Sequence, residues 1–188
     1  MEGCANMPLL RNEKKYTVED IYNLPEDERA ELIDGQIYYM APAPKPEHQL
    51  ISSFLHVEIG SYIKQKGGSC KVLAAPFAVF LDDDNSTYVE PDISVICNTE
   101  KLDSKGYHGA PDWIIEIVSP GSKQMDYFTK LFKYLAAGVR EYWIVDPQKD
   151  RITVYDSKSK MVNDFTFSDT VTAAIYGDLH IDFSELTF

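Results

Sequence analysis

The sequence predicts an α/β domain in which a mixed β-sheet is flanked by helices, with an N-terminal helix and hairpin. Its 188 residues, 44% of them hydrophobic, are enough to build one core. Two longer segments repeat apolar residues at helical spacing, and short apolar runs bounded by turn residues lie between and after them. We therefore expect one domain over residues 16–188 and a flexible N-terminus over residues 1–15.

The first elements are a short helix and a hairpin. Thr17 is a typical N-cap for a helix over residues 18–24, whose first turn is acidic, and Pro25 ends it. Asp34-Gly35 then lies between strand-forming residues and fits a two-residue turn that requires positive φ. The segment from Glu31 to Met40 is therefore predicted to be a hairpin.

A long helix follows the proline-rich link and begins near Pro46, a residue suited to a first helical turn. Its apolar residues recur at helical spacing until Gly67-Gly68 ends it; they are Ile51, Phe54, Leu55, Ile59, Tyr62 and Ile63.

The remainder alternates short strands with one further helix. Strands are predicted at residues 70–74, 77–81, 88–96 and 113–118, and later at 141–145 and 152–155, before two or three short C-terminal strands. The helix covers residues 125–137 and ends at Gly138. Its predicted buried stripe consists of Phe128, Leu131, Phe132 and Leu135.

Two of these apolar strands carry a carboxylate. Asp92 follows Pro91 at the start of one strand, and Glu116 interrupts the run Trp113–Val118. An unpaired charge is costly in a buried strand, so a positive partner between the two acids is one interpretation. Carboxylates are suitable ligands for Mg²⁺ or Mn²⁺. The alternative is that both acids lie at solvated strand ends, which a proline at the first strand residue also favours.

Three further residues are candidates for the same site. Lys130 and Tyr134 are four residues apart and share a helix face. Lys130 either places an ammonium near a metal or extends along a half-exposed helix toward water. His48, in the first turn of the long helix, either faces a cleft or is an ordinary polar residue at a helix start.

Charge and cysteine content limit the function classes. The formal net charge of −12 and the absence of a dense basic run exclude a protein that binds nucleic acid through a strongly basic face. The three scattered cysteines, Cys4, Cys70 and Cys97, predict reduced thiols. Neither a membrane-spanning stretch nor a signal-peptide pattern is recognisable, so a cytoplasmic protein without a membrane partner is expected.

An ordered series of motifs over residues 16–156 resembles the Uma-type restriction endonuclease family of the PD-(D/E)XK nuclease superfamily. Its parts are Glu31-Leu-Ile-Asp-Gly35, the proline-rich link to His48, Ala75-Pro-Phe77, Pro91-Asp92, Gly109-Ala-Pro-Asp112, Glu116-Ile-Val-Ser-Pro120, Lys130 with Tyr134, and the run Ala137–Pro147.

The resemblance implies a restriction-endonuclease-like core and a metal-dependent endonuclease acting on DNA. Asp92 and Glu116, with the main-chain carbonyl of Ile117, would hold Mg²⁺ or Mn²⁺, and Glu31 matches an upstream acidic position. The superfamily lysine belongs two residues after the second acid, where this chain has Val118. Its counterpart in the resemblance is Lys130, which would assist the attacking water.

Three readings of function stay open at this point. With so acidic a chain, an endonuclease is expected to bind DNA weakly and with strong salt dependence. A homodimer is expected because cutting both strands needs two sites. The endonuclease is the favoured hypothesis. The acidic composition and Val118 are the reasons for the competing hypothesis, a catalytically inactive nuclease-fold binding or regulatory dimer, and hydrolysis of another phosphodiester is the third.

Overall fold

The computed structural model describes residues 14–40, 43–82, 85–122 and 125–186. The first 13 residues of the predicted flexible N-terminus therefore lie outside the described residues. The described α-helices are α1 (Val18–Tyr22), α2 (Pro46–Gln65) and α3 (Leu131–Ala137). The strands are β1 (Ala30–Ile33), β2 (Gln36–Tyr39), β3 (Lys71–Ala74), β4 (Val79–Phe80), β5 (Tyr88–Val89), β6 (Ile93–Ile96), β7 (Tyr107–His108), β8 (Trp113–Ile117), β9 (Glu141–Asp146), β10 (Arg151–Asp156), β11 (Met161–Phe165), β12 (Thr170–Ala173) and β13 (Leu179–Asp182).

A six-stranded mixed sheet forms the centre, with the strand order β11-β10-β9-β8-β6-β3. Strands β8 and β9 run parallel, joined by the helical segment 125–137, and the other neighbours in this sheet are antiparallel. This architecture confirms the predicted α/β fold with a mixed sheet flanked by helices.

Side-chain alternation along β8 separates two layers of the core. Trp113, Ile115 and Ile117 pack in a cluster with apolar residues of α2. Ile114 packs in a second cluster with Tyr134 of α3. Because successive strand residues point to opposite faces, Glu116 belongs to the face that α3 covers.

The N-terminal half adds a second sheet beside the first, with the order β2-β1-β5-β4-β7. Its hairpin β1-β2 confirms the prediction, since Asp34 and Gly35 have φ values of 54° and 78°. In α1, the Asp20 carboxylate accepts a hydrogen bond from the Thr17 N–H at 2.8 Å. Strand β1 brings Glu31 into the interior, where this residue is 6% exposed.

The second long helix differs from the prediction in its shape and in its buried face. Residues Met125–Lys130 form a π-helical turn that continues into α3, and Gly138 ends α3 with φ of 99°. The predicted apolar stripe is wrong for three of its four residues, because Phe128, Phe132 and Leu135 are 61%, 70% and 37% exposed. Leu131 is partly buried and packs against the second cluster. The face turned inward carries Asp126, Lys130 and Tyr134, because buried carboxylates of the neighbouring strands require a cation and a donor there.

The cysteine prediction is also wrong for two of the three residues. The antiparallel register of β3 and β6 pairs Lys71 with Ile96, which places Cys70 and Cys97 opposite each other. They form a disulfide with an S–S distance of 2.08 Å. The cytoplasmic location expected from the sequence stays a prediction.

Among the described helices, none has both the length and the apolar character needed to cross a membrane.

Candidate active site

The two strand carboxylates lie side by side. Antiparallel pairing of Ile93 with Ile115 brings Asp92, which precedes β6, next to the end of β8. The Oδ2 atom of Asp92 accepts a hydrogen bond from the Ile117 N–H at 2.8 Å. In return, the Asp92 N–H lies 3.4 Å from Oε2 of Glu116. Backbone N–H groups of the two neighbouring chain segments therefore position both carboxylates.

Lys130 inserts its ammonium between two buried acids. Its Nζ lies 2.9 Å from Oε2 of Glu31 and 3.0 Å from Oε1 of Glu116. The other oxygen of Glu31 accepts the Glu90 N–H at 2.9 Å, which fixes that carboxylate. The lysine side chain is 7% exposed. Of the two interpretations of Lys130, the structure excludes a lysine that extends into solvent.

Asp126 is a member of this cluster that sequence reasoning missed. It is 1% exposed and lies four residues before Lys130, with a distance of 3.9 Å between its Oδ1 and the lysine Nζ. The signal was available, since Asp126, Lys130 and Tyr134 repeat at a spacing of four. The apolar residues between them matched a buried stripe equally well.

Tyr134 supports Glu116 from the same helix face. Its hydroxyl donates to Oε1 of Glu116 at 2.7 Å, so this oxygen accepts from both Tyr134 and Lys130. Burial and the neighbouring carboxylate of Glu116 raise the pKa of Tyr134 well above its ordinary value. The phenol therefore stays neutral and remains a donor.

His48 reaches the site from the third residue of α2. Its Nε2 lies 3.2 Å from Oδ2 of Asp92, and its side chain is 14% exposed. Burial lowers the pKa of His48, but the hydrogen bond with Asp92 and the charge of that carboxylate raise it more, so the net shift is upward. A cleft opens beside His48, between the start of α2 and the turns after β8 and β9. The interpretation of His48 as a cleft residue agrees with this position.

The cluster holds more negative than positive charge. Burial raises the pKa of Glu116 well above its usual range, and the Lys130 ammonium only partly offsets that effect. Burial alone would lower the pKa of Lys130, yet Glu116, Glu31 and Asp126 raise it well above its ordinary value. Burial also raises the pKa of Asp126, to about 6. A site of this kind attracts further cations.

The donor set suits a hard divalent cation bound with few protein ligands. Asp92 is 20% exposed and gives access from solvent to the pair that it forms with Glu116. Within the described ranges, no three His, Cys, Asp or Glu side chains are grouped so that they could hold a metal ion. A magnesium ion can bind with so few protein ligands, because it commonly takes one or two carboxylates and keeps several waters. The residues present therefore fit such an ion.

The buried acid Asp126 gives a pH-dependent prediction. Its pKa of about 6 in the folded protein exceeds the ordinary 3.8, so the folded state binds the proton more tightly. Stability from this group is full below about pH 4 and decreases as the pH rises toward 6. We expect Asp126→Asn, which cannot titrate, to gain stability relative to the wild type across this window, on the order of 2 kcal/mol. Urea unfolding with a chelator present measures the difference, and a difference independent of pH would contradict the assignment.

Comparisons with known proteins give a family match, a curated relative and a similar solved structure. Residues 18–183 match the model of the family Uma2, described as "Putative restriction endonuclease". A curated relative, "Uncharacterized protein slr1290" of Synechocystis sp., is 26% identical over 129 residues, which cover 68% of this chain and 66% of that protein. Among solved structures, a "putative nuclease belonging to DUF820" from Anabaena variabilis superposes with a TM-score of 0.73 and 24% identity. That superposition covers 90% of this chain and 96% of the other, and it shows a shared fold.

Proposed function

Because the chain belongs to the Uma2 family, we propose that it is a metal-dependent endonuclease that hydrolyses DNA phosphodiester bonds. The observation that supports this most is the buried Lys130 ammonium between Glu31 and Glu116, beside the solvent-accessible Asp92. A lysine next to paired carboxylates at strand ends combines a cation site with a group that stabilises developing negative charge.

Asp92 and Glu116 would hold the metal, Mg²⁺ or Mn²⁺, together with the main-chain carbonyl of Ile117. When bound, the ion supplies Lewis-acid polarisation of the phosphoryl oxygen and a lower pKa for a coordinated water. The protein provides the orientation, because the Ile117 N–H holds Asp92 and the Tyr134 hydroxyl holds Glu116.

Lys130 acts as a cation in this proposal. Its carboxylate neighbours raise its pKa well above the ordinary value, so at neutral pH it donates hydrogen bonds and does not accept a proton. It can therefore position the attacking water or stabilise charge on the phosphate, but it is unsuited to be the general base. Glu31 keeps Lys130 in place from the opposite side.

DNA binding is expected to be weak and sensitive to salt. The net charge of −12 opposes approach to a polyanion, and the site itself is rich in carboxylates, so a bound metal ion and a few lysines would have to supply the attraction. The proposal concerns the cleavage of DNA in general, and the residues present do not specify a target sequence.

Metal binding separates this proposal from the catalytically inactive nuclease-fold dimer. We expect calorimetry to show Mn²⁺ binding to the wild type at up to millimolar metal, and to show its loss in Glu116→Ala, because half of the carboxylate pair is then missing. Nicking of supercoiled plasmid should require Mg²⁺ or Mn²⁺ and stop when EDTA is added.

The control is Glu185→Ala, which removes a carboxylate from the C-terminal 3₁₀ turn without touching the site. It should bind Mn²⁺ like the wild type. If the wild type binds no metal at millimolar concentration, the endonuclease proposal is wrong and the non-catalytic binding protein is favoured.

A further inference from the structure

The face of the helical segment 125–137 that points away from the site is apolar and exposed. Phe128, Phe132 and Leu135 are 61%, 70% and 37% exposed, and they follow one another at spacings of four and three residues. We call these three residues the outer stripe. The opposite face of the same segment is occupied by the buried Lys130 and Tyr134, so the outer stripe has no place in the core of its own chain.

The outer stripe continues onto the edge of the central sheet. Leu135 lines a groove of about 310 Å³ together with Met161 and Val162 of β11. Those two residues are 55% and 56% exposed. The groove is also lined by Tyr155 and by the polar residues Asp156, Ser157 and Lys160, so the helix and the sheet edge meet at an apolar groove with a polar side.

Strand β11 is an open edge within the described sheet. It pairs with β10 on one side, from Ile152 with Phe165 to Asp156 with Met161, and it ends the strand order. Residues 161–164 are all exposed. The outer N–H and C=O groups of such an edge are available to pair with another strand.

The exposed apolar area can be compared with the area that a stable dimer buries. At 61% and 70% exposure, Phe128 and Phe132 alone present about 250 Å² of ring surface. Leu135 and Val162 add to this area on the same face of the sheet, and the sum falls within the roughly 300–600 Å² found for the largest patches of monomers. A stable dimer buries about 800 Å² per partner, with an apolar centre and a polar rim. This surface has the size of such a centre.

We propose that a second copy of this chain docks on this surface, with β11 of each copy pairing antiparallel across a two-fold axis. The two outer stripes then pack together, and the two central sheets become one. An interface around a two-fold axis has to be self-complementary. Pairing centred on Val162 places Lys160 opposite Asp164 of the second copy. Asp164 also pairs with Arg151 of its own chain at 3.1 Å, so Lys160 would join an existing ion pair at each end of the contact.

The contact has to outweigh the repulsion between two chains of net charge −12. The outer stripe and the groove bring apolar groups together, and Lys160 adds positive charge at the rim of the contact. The proposal supplies a surface for the homodimer expected from the sequence. The dimer proposal is argued from the exposed residues alone, so it does not depend on whether the site cleaves DNA.

The test is the mass of the full chain in solution, measured by sedimentation velocity from about 1 to 100 μM. We expect the wild type to have twice the monomer mass of 21.4 kDa. Phe132→Glu and Val162→Glu should each raise the dissociation constant at least about 30-fold, because each introduces a charge into the apolar centre. Both residues are exposed, so circular dichroism should show an unchanged fold.

Val57→Glu is the matched control. Val57 lies on α2 and is 56% exposed, as Val162 is, but it is outside the proposed contact. It should remain dimeric. A wild type that is monomeric at 100 μM overturns the proposal. Binding of a single-stranded oligonucleotide to the outer stripe of such a monomer would not rescue it. Dimers that persist in both Glu variants overturn it as well.

Discussion

Replacing Asp92 by Asn or Glu116 by Gln is expected to reduce metal-dependent plasmid nicking by more than about 100-fold. Each change removes a negative charge from the pair that would hold the ion, while the shape of the side chain is nearly kept. The amides still occupy the strand ends where Ile117 N–H and Tyr134 hydroxyl approach. The loss should therefore reflect chemistry and not unfolding.

Three measurements together make this result decisive. Nicking rates are compared with and without Mn²⁺, calorimetry reports metal binding, and thermal unfolding verifies the fold. Asp178→Asn is the control, because Asp178 is an exposed carboxylate that contacts Lys66 at 2.6 Å on a surface loop. It should cleave at the wild-type rate. A double variant, Asp92→Asn with Glu116→Gln, that still nicks DNA at the wild-type rate would refute the assignment of these acids.

Replacing Lys130 by Met is expected to cost about 3–5 kcal/mol of unfolding free energy at pH 8 and to abolish nicking. The ammonium contacts Glu31 and Glu116 at 2.9 and 3.0 Å, and without it both carboxylates are buried without their cation. Methionine fills a similar volume, so the loss measures charge and not a cavity.

The pH dependence of this variant has a definite sign. Burial already raises the pKa of Glu116, and removal of Lys130 raises it further, because this lysine opposes the shift. The protonated acid is favoured in the folded state, so the variant regains stability as the pH falls. We expect a smaller difference from the wild type at pH 5 than at pH 8 in urea unfolding. A difference of equal size at both values would contradict the charge argument.

Lys133→Met provides the matched control on the same helix. Lys133 is 23% exposed and pairs with Asp34, which is 67% exposed. Water screens such a pair, so its loss should cost at most about 1 kcal/mol. Lys133→Met should also retain nicking. Equal destabilisation by both substitutions would show that the buried cluster has no special role.

Much of the site could be predicted because its signals are local in the chain. Asp92 and Glu116 stand out as acids within apolar strands, and Lys130 and Tyr134 share a helix face by their spacing. The β-hairpin follows from Asp34-Gly35, whose positive φ values the turn requires. Each of these inferences needs only neighbouring residues.

The wrong prediction for the buried face of segment 125–137 and the overlooked Asp126 have one physical cause. Two faces of segment 125–137 satisfy helical periodicity, one with Phe128, Phe132 and Leu135 and one with Asp126, Lys130 and Tyr134. Hydrophobicity favours burial of the first, yet the second is buried. The choice depends on what the helix meets, and here it meets Glu31 and Glu116 from strands distant in the sequence.

The sequence by itself determined the fold class and the family, and it proposed the residue types of the candidate site. It could not determine which residues share the interior with a given carboxylate, because pairings such as Lys130 with Glu31 span 99 residues and arise only when the two sheets meet. The Cys70–Cys97 bond depends in the same way on strand register. Tertiary structure alone decided which face of segment 125–137 holds the charges and which remains exposed. The physical reason is that buried charges must be compensated wherever long-range contacts place them.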